Sequence, residues 1–291
     1  MEQTTAAAIG DVELAVYEAG DGPPVLLLHG FPELAYSWRH QLPALADAGY
    51  RAVAVDLRGY GASSKPAALE SYALTTLVGD TVGLLDALGA DDATLVGHDW
   101  GAIIAWSTAV LAPHRVRAVA SLNVPYRGWC CGFPSTDVIR ERLADRFGYV
   151  LRFQEPGVTE QRFSADPETW LRRTYSGVAG GEAMSPRDFA VYVAAFESGG
   201  ITGPLNYYRN IDRNVADVAE HANAPIECPT LMIAPDRDPV LPSGLVDGMD
   251  RWIPDLRTEL VTTCGHWTQQ EQPAIVNRHL VTFLDEVHVA R

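Results

Sequence analysis

The sequence predicts an α/β fold: a mostly parallel central sheet flanked by helices, with a helical lid inserted into it. Three observations carry this expectation. Short apolar runs alternate with longer helix-like stretches, as in sheets covered on both faces. Several of the runs are rich in Val, Leu and Ile without polar alternation, the pattern of strands buried on both sides. The rhythm then stops after Asn123 and resumes only at Pro229.

Taken in order, the expected strands are Glu13–Tyr17, Val25–His29, Ala52–Asp56, Thr94–Gly97, Arg117–Leu122, Thr230–Ala234 and Arg257–Val261. Between them, Leu77, Thr81, Leu84, Leu85 and Leu88 recur at helical spacing and stop at Gly89, predicting a helix over Leu77–Leu88. Ala102–Leu111 reads as a buried helix that ends before Pro113. From Pro125 to about Pro225 no buried strand is evident. Aromatic- and Arg-rich helix candidates (Asp137–Phe153, Pro167–Tyr175, Pro186–Phe196) stand there instead, separated by Gly and Pro. The expected division is a sheet domain over residues 1–124 and 226–291, with a lid over 125–225 covering the carboxyl edge of the strands, where open α/β sheets bind ligands.

Composition narrows the function. The chain has 291 residues, 47% of them hydrophobic and 20% charged, which suits a packed core and argues against disorder. Its formal net charge of −15 repels phosphate backbones and anionic headgroups, so no nucleic-acid partner is expected. The longest apolar run, Ala102–Ala112, is too short to span a bilayer, and no secretory leader is visible. Cys130, Cys131, Cys228 and Cys264 lack metal-ligand spacing and read as reduced thiols of a cytoplasmic protein.

The strongest chemical signal is Gly97-His98-Asp99-Trp100-Gly101, between an expected strand and helix. It matches small-x-nucleophile-x-small, a sharp elbow that projects one side chain out of the turn. Asp99 occupies the position where most such elbows carry Ser. A serine attacking saturated carbon would leave an ether that water cannot easily remove, whereas a carboxylate leaves an ester that water cleaves at its own carbonyl. Asp99 therefore points to opening an epoxide or expelling a halide. In elbows of this type the acid and histidine follow the nucleophile in chain order. Asp238 lies just past the penultimate expected strand and His266 just past the last, with Asp236 as the competing acid. His266 would activate water, and Asp238 would orient the imidazole. The amides of Phe31, in His29-Gly30-Phe31-Pro32-Glu33, and of Trp100 are candidate donors to the oxyanion formed in that attack. His98 is expected to pack and His29 to support its loop.

These motifs, together with Ser37-Trp38-Arg39, Arg58-Gly59-Tyr60-Gly61 and Ser121-Leu122-Asn123-Val124-Pro125, resemble the α/β-hydrolase-fold epoxide hydrolases, of the soluble type and its bacterial relatives. The resemblance covers nearly the whole chain. Gly203-Pro204-Leu205-Asn206-Tyr207-Tyr208-Arg209-Asn210 resembles the family segment that supplies one lid tyrosine, which places it at Tyr208. Tyr149-Val150-Leu151-Arg152-Phe153-Gln154-Glu155-Pro156-Gly157 resembles the other, placing it at Tyr149, with Tyr126, Tyr175 and Tyr192 as substitutes. The resemblance implies two phenols on the epoxide oxygen, a covalent aspartyl ester, a diol product, and neither metal nor cofactor.

Candidate substrate-contacting residues are Phe31, Trp100, Phe153 and Trp267. Trp129, Phe133, Phe163 and Trp170 either join them or form the lid's own core. A dehalogenase would share Asp99 and use the Trp100 indole as a halide donor, although Phe31 offers no side-chain donor. A lid cavity that only binds a small ligand is the reading of another class.

Overall fold

In a computed structural model, which describes residues 3–181 and 184–289, eight strands form one sheet. They are β1 (Thr5–Ile9), β2 (Val12–Ala19), β3 (Pro24–Leu28), β4 (Arg51–Val55), β5 (Ala93–His98), β6 (Val116–Leu122), β7 (Thr230–Pro235) and β8 (Leu256–Val261). The spatial order is β1-β2-β4-β3-β5-β6-β7-β8, with β2 antiparallel to both neighbours and the rest parallel. The seven expected strands are all present; β1, a short Ala-rich edge strand with mostly exposed side chains, lacks the apolar run that betrays the others.

The helices are α1 (Gln41–Asp47), α2 (Leu74–Ala87), α3 (Trp100–Leu111), α4 (Thr136–Arg142), α5 (Ala144–Phe153), α6 (Val158–Ala165), α7 (Pro167–Val178), α8 (Pro186–Gly199), α9 (Thr202–Arg209), α10 (Ile211–Asp217), α11 (Thr268–Glu271) and α12 (Pro273–Val289). Alternate strand residues face opposite layers, as the period of two requires. Leu26, Leu28, Val53 and Val55 pack towards α2 and α3, whereas Val25, Leu27, Ala52 and Ala54 pack towards α1 and α12.

The helix expected over Asp137–Phe153 is two: Leu143, at φ −131°, separates α4 from α5. The helix expected from Leu77 begins a turn earlier, at Leu74, whose amide is held by the Asn214 side chain at 2.8 Å. Between β6 and β7 the described residues contain helices and turns but no strand, as the loss of rhythm predicted.

The chain runs from β3 outward to β4, then returns to the other side of β3 as β5. Adjacent parallel strands whose connections leave in opposite directions open a crevice at their carboxyl ends. The loop after β3 and the turn after β5 meet in this crevice, because Leu28 is in register with Gly97. None of the described helices is long and apolar enough to cross a membrane.

Candidate active site

Asp99 sits between β5 and α3 at φ 50°, ψ −118°, a conformation that a non-glycine residue adopts only under constraint. The constraint is visible around it. The amides of Ala102 and Ile103 both donate to the Asp99 carbonyl (3.0 and 3.2 Å), and a Cβ on Gly97 or Gly101 would strike backbone. A Cβ on Gly30 would strike Asp99 itself, so this glycine lets the β3 loop reach the carboxylate. The Phe31 amide donates to Asp99 Oδ1 at 2.8 Å, and the Phe31–Pro32 peptide is cis. Trp100 is the first residue of α3, where an N–H has no acceptor within the helix. The Phe31 amide thus already holds the carboxylate, and the Trp100 amide has no partner within its helix.

His266 Nε2 lies 3.9 Å from Asp99 Oδ2, and its Nδ1 lies 2.7 Å from Asp238 Oδ2. Asp238 also accepts from the Asn123 amide (2.8 Å) and from the backbone of Val240 and Leu241 (2.8 and 3.0 Å). Burial opposes charge on both groups. For Asp238 the charge and hydrogen bond of His266, with the Asn123 and Leu241 donors, outweigh it and hold the carboxyl well below its usual range. For His266 burial is likewise outweighed by Asp238, Asp99 and Glu33, and the imidazole rises to about 9. Asp236, the competing acid, turns instead to the Cys264 amide at 3.0 Å.

Tyr149 on α5 and Tyr208 on α9 meet in the cavity that Asp99 also lines, with ring centroids 5.9 Å apart. Burial, and then the Asp99 charge, push both phenols far above their ordinary value, so both keep their protons at neutral pH. The substitutes are committed elsewhere: the hydroxyls of Tyr126, Tyr175 and Tyr192 donate to Ala224 O, Pro32 O and Gln270 Oε1.

Asp99, His266, Tyr149 and Tyr208 share one cavity of about 790 Å³, walled also by Phe31, Phe153, Trp170 and Trp267. Trp100 departs from expectation as a substrate contact. Its ring is fully buried beneath Tyr208, at 5.1 Å between centroids, and does not reach the cavity wall. Phe133 and Phe163 are buried in the core while Trp129 is exposed, so the lid aromatics divide between core, cavity and surface.

Three contributions were not legible as functional. Asn123, at φ 69°, bridges Asp238, the His266 carbonyl (2.9 Å) and the Thr268 hydroxyl (2.8 Å). Its place directly after β6, on the same edge, was the available signal. Glu33 is fully buried and accepts from Gly30, His98, Gln269 and Gln270. Burial works against this carboxylate, and His98 and the Gly30 amide outweigh it, holding it below the usual range. His98 does more than the packing expected of it. Its Nδ1 contacts Glu33 at 2.7 Å and its Nε2 the His266 carbonyl at 2.8 Å, tying the β3 loop to the histidine loop. His29 supports its loop as expected: Nε2 accepts from the Leu57 amide at 3.0 Å and Nδ1 lies 2.8 Å from Gly30 O. Among the described residues no cluster has the composition of a metal site.

Residues 23–273 match the alpha/beta hydrolase fold family. Epoxide hydrolase A of Mycobacterium tuberculosis is 42% identical over 304 residues, covering 94% of each chain. Bifunctional epoxide hydrolase 2 of Sus scrofa is 40% identical over 94% of this chain, which spans only 53% of that protein. The crystal structure of epoxide hydrolase A from Mycobacterium thermoresistibile superposes with a TM-score of 0.89 at 39% identity, covering 97% of each chain. A carboxylate at the elbow, an imidazole beside it and two phenols in the same cavity thus stand on a scaffold shared along its length with epoxide hydrolases, and the chain belongs to the epoxide hydrolases of the α/β-hydrolase fold.

Proposed function

We propose that the protein converts an epoxide and water to a vicinal diol in two stages, through a covalent ester on Asp99. The observation that carries this reading is that one strained carboxylate and two phenols line a single cavity, with His266 at 3.9 Å from the carboxylate. In the first stage an Asp99 oxygen bonds to a ring carbon as the carbon–oxygen bond of the epoxide breaks. Tyr149 and Tyr208 hold the departing oxygen, and one of them gives it a proton. Raised above the ordinary phenol value near 10, both stay protonated at neutral pH, and ester formation removes the Asp99 charge that helps to raise them, so their acidity increases as the alkoxide develops.

Ester formation cancels the negative charge of Asp99, one of the charges that hold His266 as imidazolium. The imidazole then releases its proton, which balances the proton consumed at the alkoxide, and becomes the base that the second stage needs. Neutral His266, oriented by Asp238, takes a proton from water as the water oxygen bonds to the Asp99 carbonyl carbon. The Phe31 and Trp100 amides hold the resulting oxyanion, and collapse releases the diol and the carboxylate.

Residues 125–225 serve in this reading as a cap that supplies both phenols and excludes water. The apolar wall of Phe31, Phe153 and Trp267 suits a hydrophobic small molecule. The free thiols fit a reducing cytoplasm. A halide needs no proton, so a dehalogenase would have no use for the two phenols, and a simple binding protein would have no use for the whole set.

The test is product identity combined with trapping. His266→Gln protein exposed to a reactive epoxide should gain the mass of one epoxide and hold it, while the wild type releases diol. Free halide from haloalkanes without diol from epoxides, or an unchanged mass, would overturn the reading.

A further inference from the structure

The backbone N–H groups around His266 end on two partners. The His266 amide donates to Val178 O at 2.9 Å. The flanking amides of Gly265 and Trp267 donate to the side chain of Glu271, the last residue of α11, at 2.9 and 3.1 Å. Glu271 Oε2 also accepts from the Gly180 amide at 2.9 Å, so a single oxygen joins the histidine loop to the lid. Two carboxylate oxygens thus take three amide protons from both sides of the base.

The lid side of this junction is the end of α7, whose last carbonyls have no acceptor role within the helix. Of these, Val178 O takes the His266 amide and Tyr175 O takes Trp267 Nε1 at 2.9 Å. The two backbones approach too closely for a side chain between them: a Cβ on Gly180 would strike the Gly265 amide, and one on Gly265 would strike Gly180. At the neighbouring Gly181 a Cβ would meet nothing within 4 Å. On the core side the His266 carbonyl is fixed separately, by Asn123 at 2.9 Å and His98 at 2.8 Å. The amide side is restrained by Glu271 and α7, and the same end of α7 lines the cavity through Gly177 and Val178.

We propose that Glu271 is a positioning residue for the second stage: it clamps the backbone on both sides of His266 to the end of α7, and so keeps Nε2 where water is deprotonated against the ester carbonyl. The assignment rests on the reading that Asp99 forms an ester. Ester formation is carried by Asp99, Tyr149 and Tyr208 and does not use the imidazole as a base. Water attack does, and a misplacement of about 1 Å in such a group costs on the order of 10²-fold. Loss of the clamp therefore falls on one stage. Glutamine at position 271 keeps one acceptor oxygen and turns an NH₂ group towards amides that need an acceptor, so it removes the clamp with little change of shape.

The experiment follows single turnovers of a reactive epoxide by intact mass, which separates the rate of ester formation from the rate of its hydrolysis. Glu271→Gln should form the ester at the wild-type rate and hydrolyse it about 10- to 100-fold more slowly. In steady state kcat and KM should then fall together and leave kcat/KM unchanged, because kcat/KM reports the steps up to ester formation. A merely structural role would lower kcat at constant KM, or slow both stages alike. Gly180→Ala, which wedges the lid backbone off the histidine loop, should reproduce the slow hydrolysis, while Gly181→Ala should match the wild type in both stages. This glycine pair decides the matter if Glu271→Gln fails to fold. Ester hydrolysis at the wild-type rate in Glu271→Gln or Gly180→Ala, or an equal loss in both stages, would overturn the clamp and leave the epoxide reading standing. Absence of any ester, in His266→Gln as well, would overturn both.

Discussion

The coupling between Asp99 and His266 can be measured directly by removing one charge. Asp99→Asn keeps the shape of the nucleophile and cancels its charge, as ester formation does. Two unit charges 3.9 Å apart interact by about 1 kcal/mol if water screens them fully and about 4 kcal/mol at the effective dielectric typical of partly shielded pairs. At 1.36 kcal/mol per pKa unit, losing that interaction lowers the imidazole from about 9 by roughly one to three. The variant should therefore titrate between about 6 and 8, within reach of a neutral base at physiological pH. The assay is an NMR titration of the His266 ring, with intact mass confirming that the amide has survived. A wild-type value at or below the ordinary 6.5, or a value in Asp99→Asn within a few tenths of wild type, would refute the idea that alkylation switches on the base. The sign extends to stability. A histidine raised above its unfolded value stabilises the fold fully below pH 6.5 and loses that contribution as pH climbs through about 9. In the variant the loss should come at correspondingly lower pH in thermal melts.

Further outcomes concern the groups around this pair. Tyr208→Phe and Tyr149→Phe should each slow ester formation by ~10² in stopped-flow single turnovers, and the double variant by more, without loss of thermal stability. A double variant within tenfold of wild type would show that the epoxide oxygen lies elsewhere. Asn123→Gly should lower kcat by loosening Asp238 and should destabilise the protein by about 1–3 kcal/mol, since the buried groups it bridged lose their partner. Asn123→Ala should cost about 1 kcal/mol more in denaturant melts, because glycine accepts the left-handed backbone that alanine resists. Equal stability of the two would show that φ at this residue carries no strain.

The strands, the inserted lid and the catalytic edge were legible because parallel strands buried on both faces must be written in Val, Leu and Ile, and because an elbow needs glycines on both sides of its nucleophile. Asp99, Asp238 and His266 follow from that pattern together with chain order. The edge strand β1 escaped because its alanines neither alternate nor bury. The break at Leu143 escaped because the apolar spacing runs on through it, while the backbone turns to bring α5, with Tyr149, over the cavity. Trp100 misled as a substrate contact because adjacency in sequence to the nucleophile is not adjacency to the cavity: the first residue of α3 points beneath Tyr208. The Glu33–His98 link joins residues 65 positions apart. Nothing in either local motif names the other as its partner.

Which oxygen ends in the diol separates an ester on Asp99 from direct attack by water. In a single turnover of excess enzyme in ¹⁸O-enriched water, the first diol should carry ordinary oxygen donated by the carboxylate. The heavy atom should then be found in the Asp99 side chain by mass analysis of the peptide containing it. Heavy oxygen in that first diol, with Asp99 unlabelled, would mean that water attacks the epoxide directly and that no ester forms.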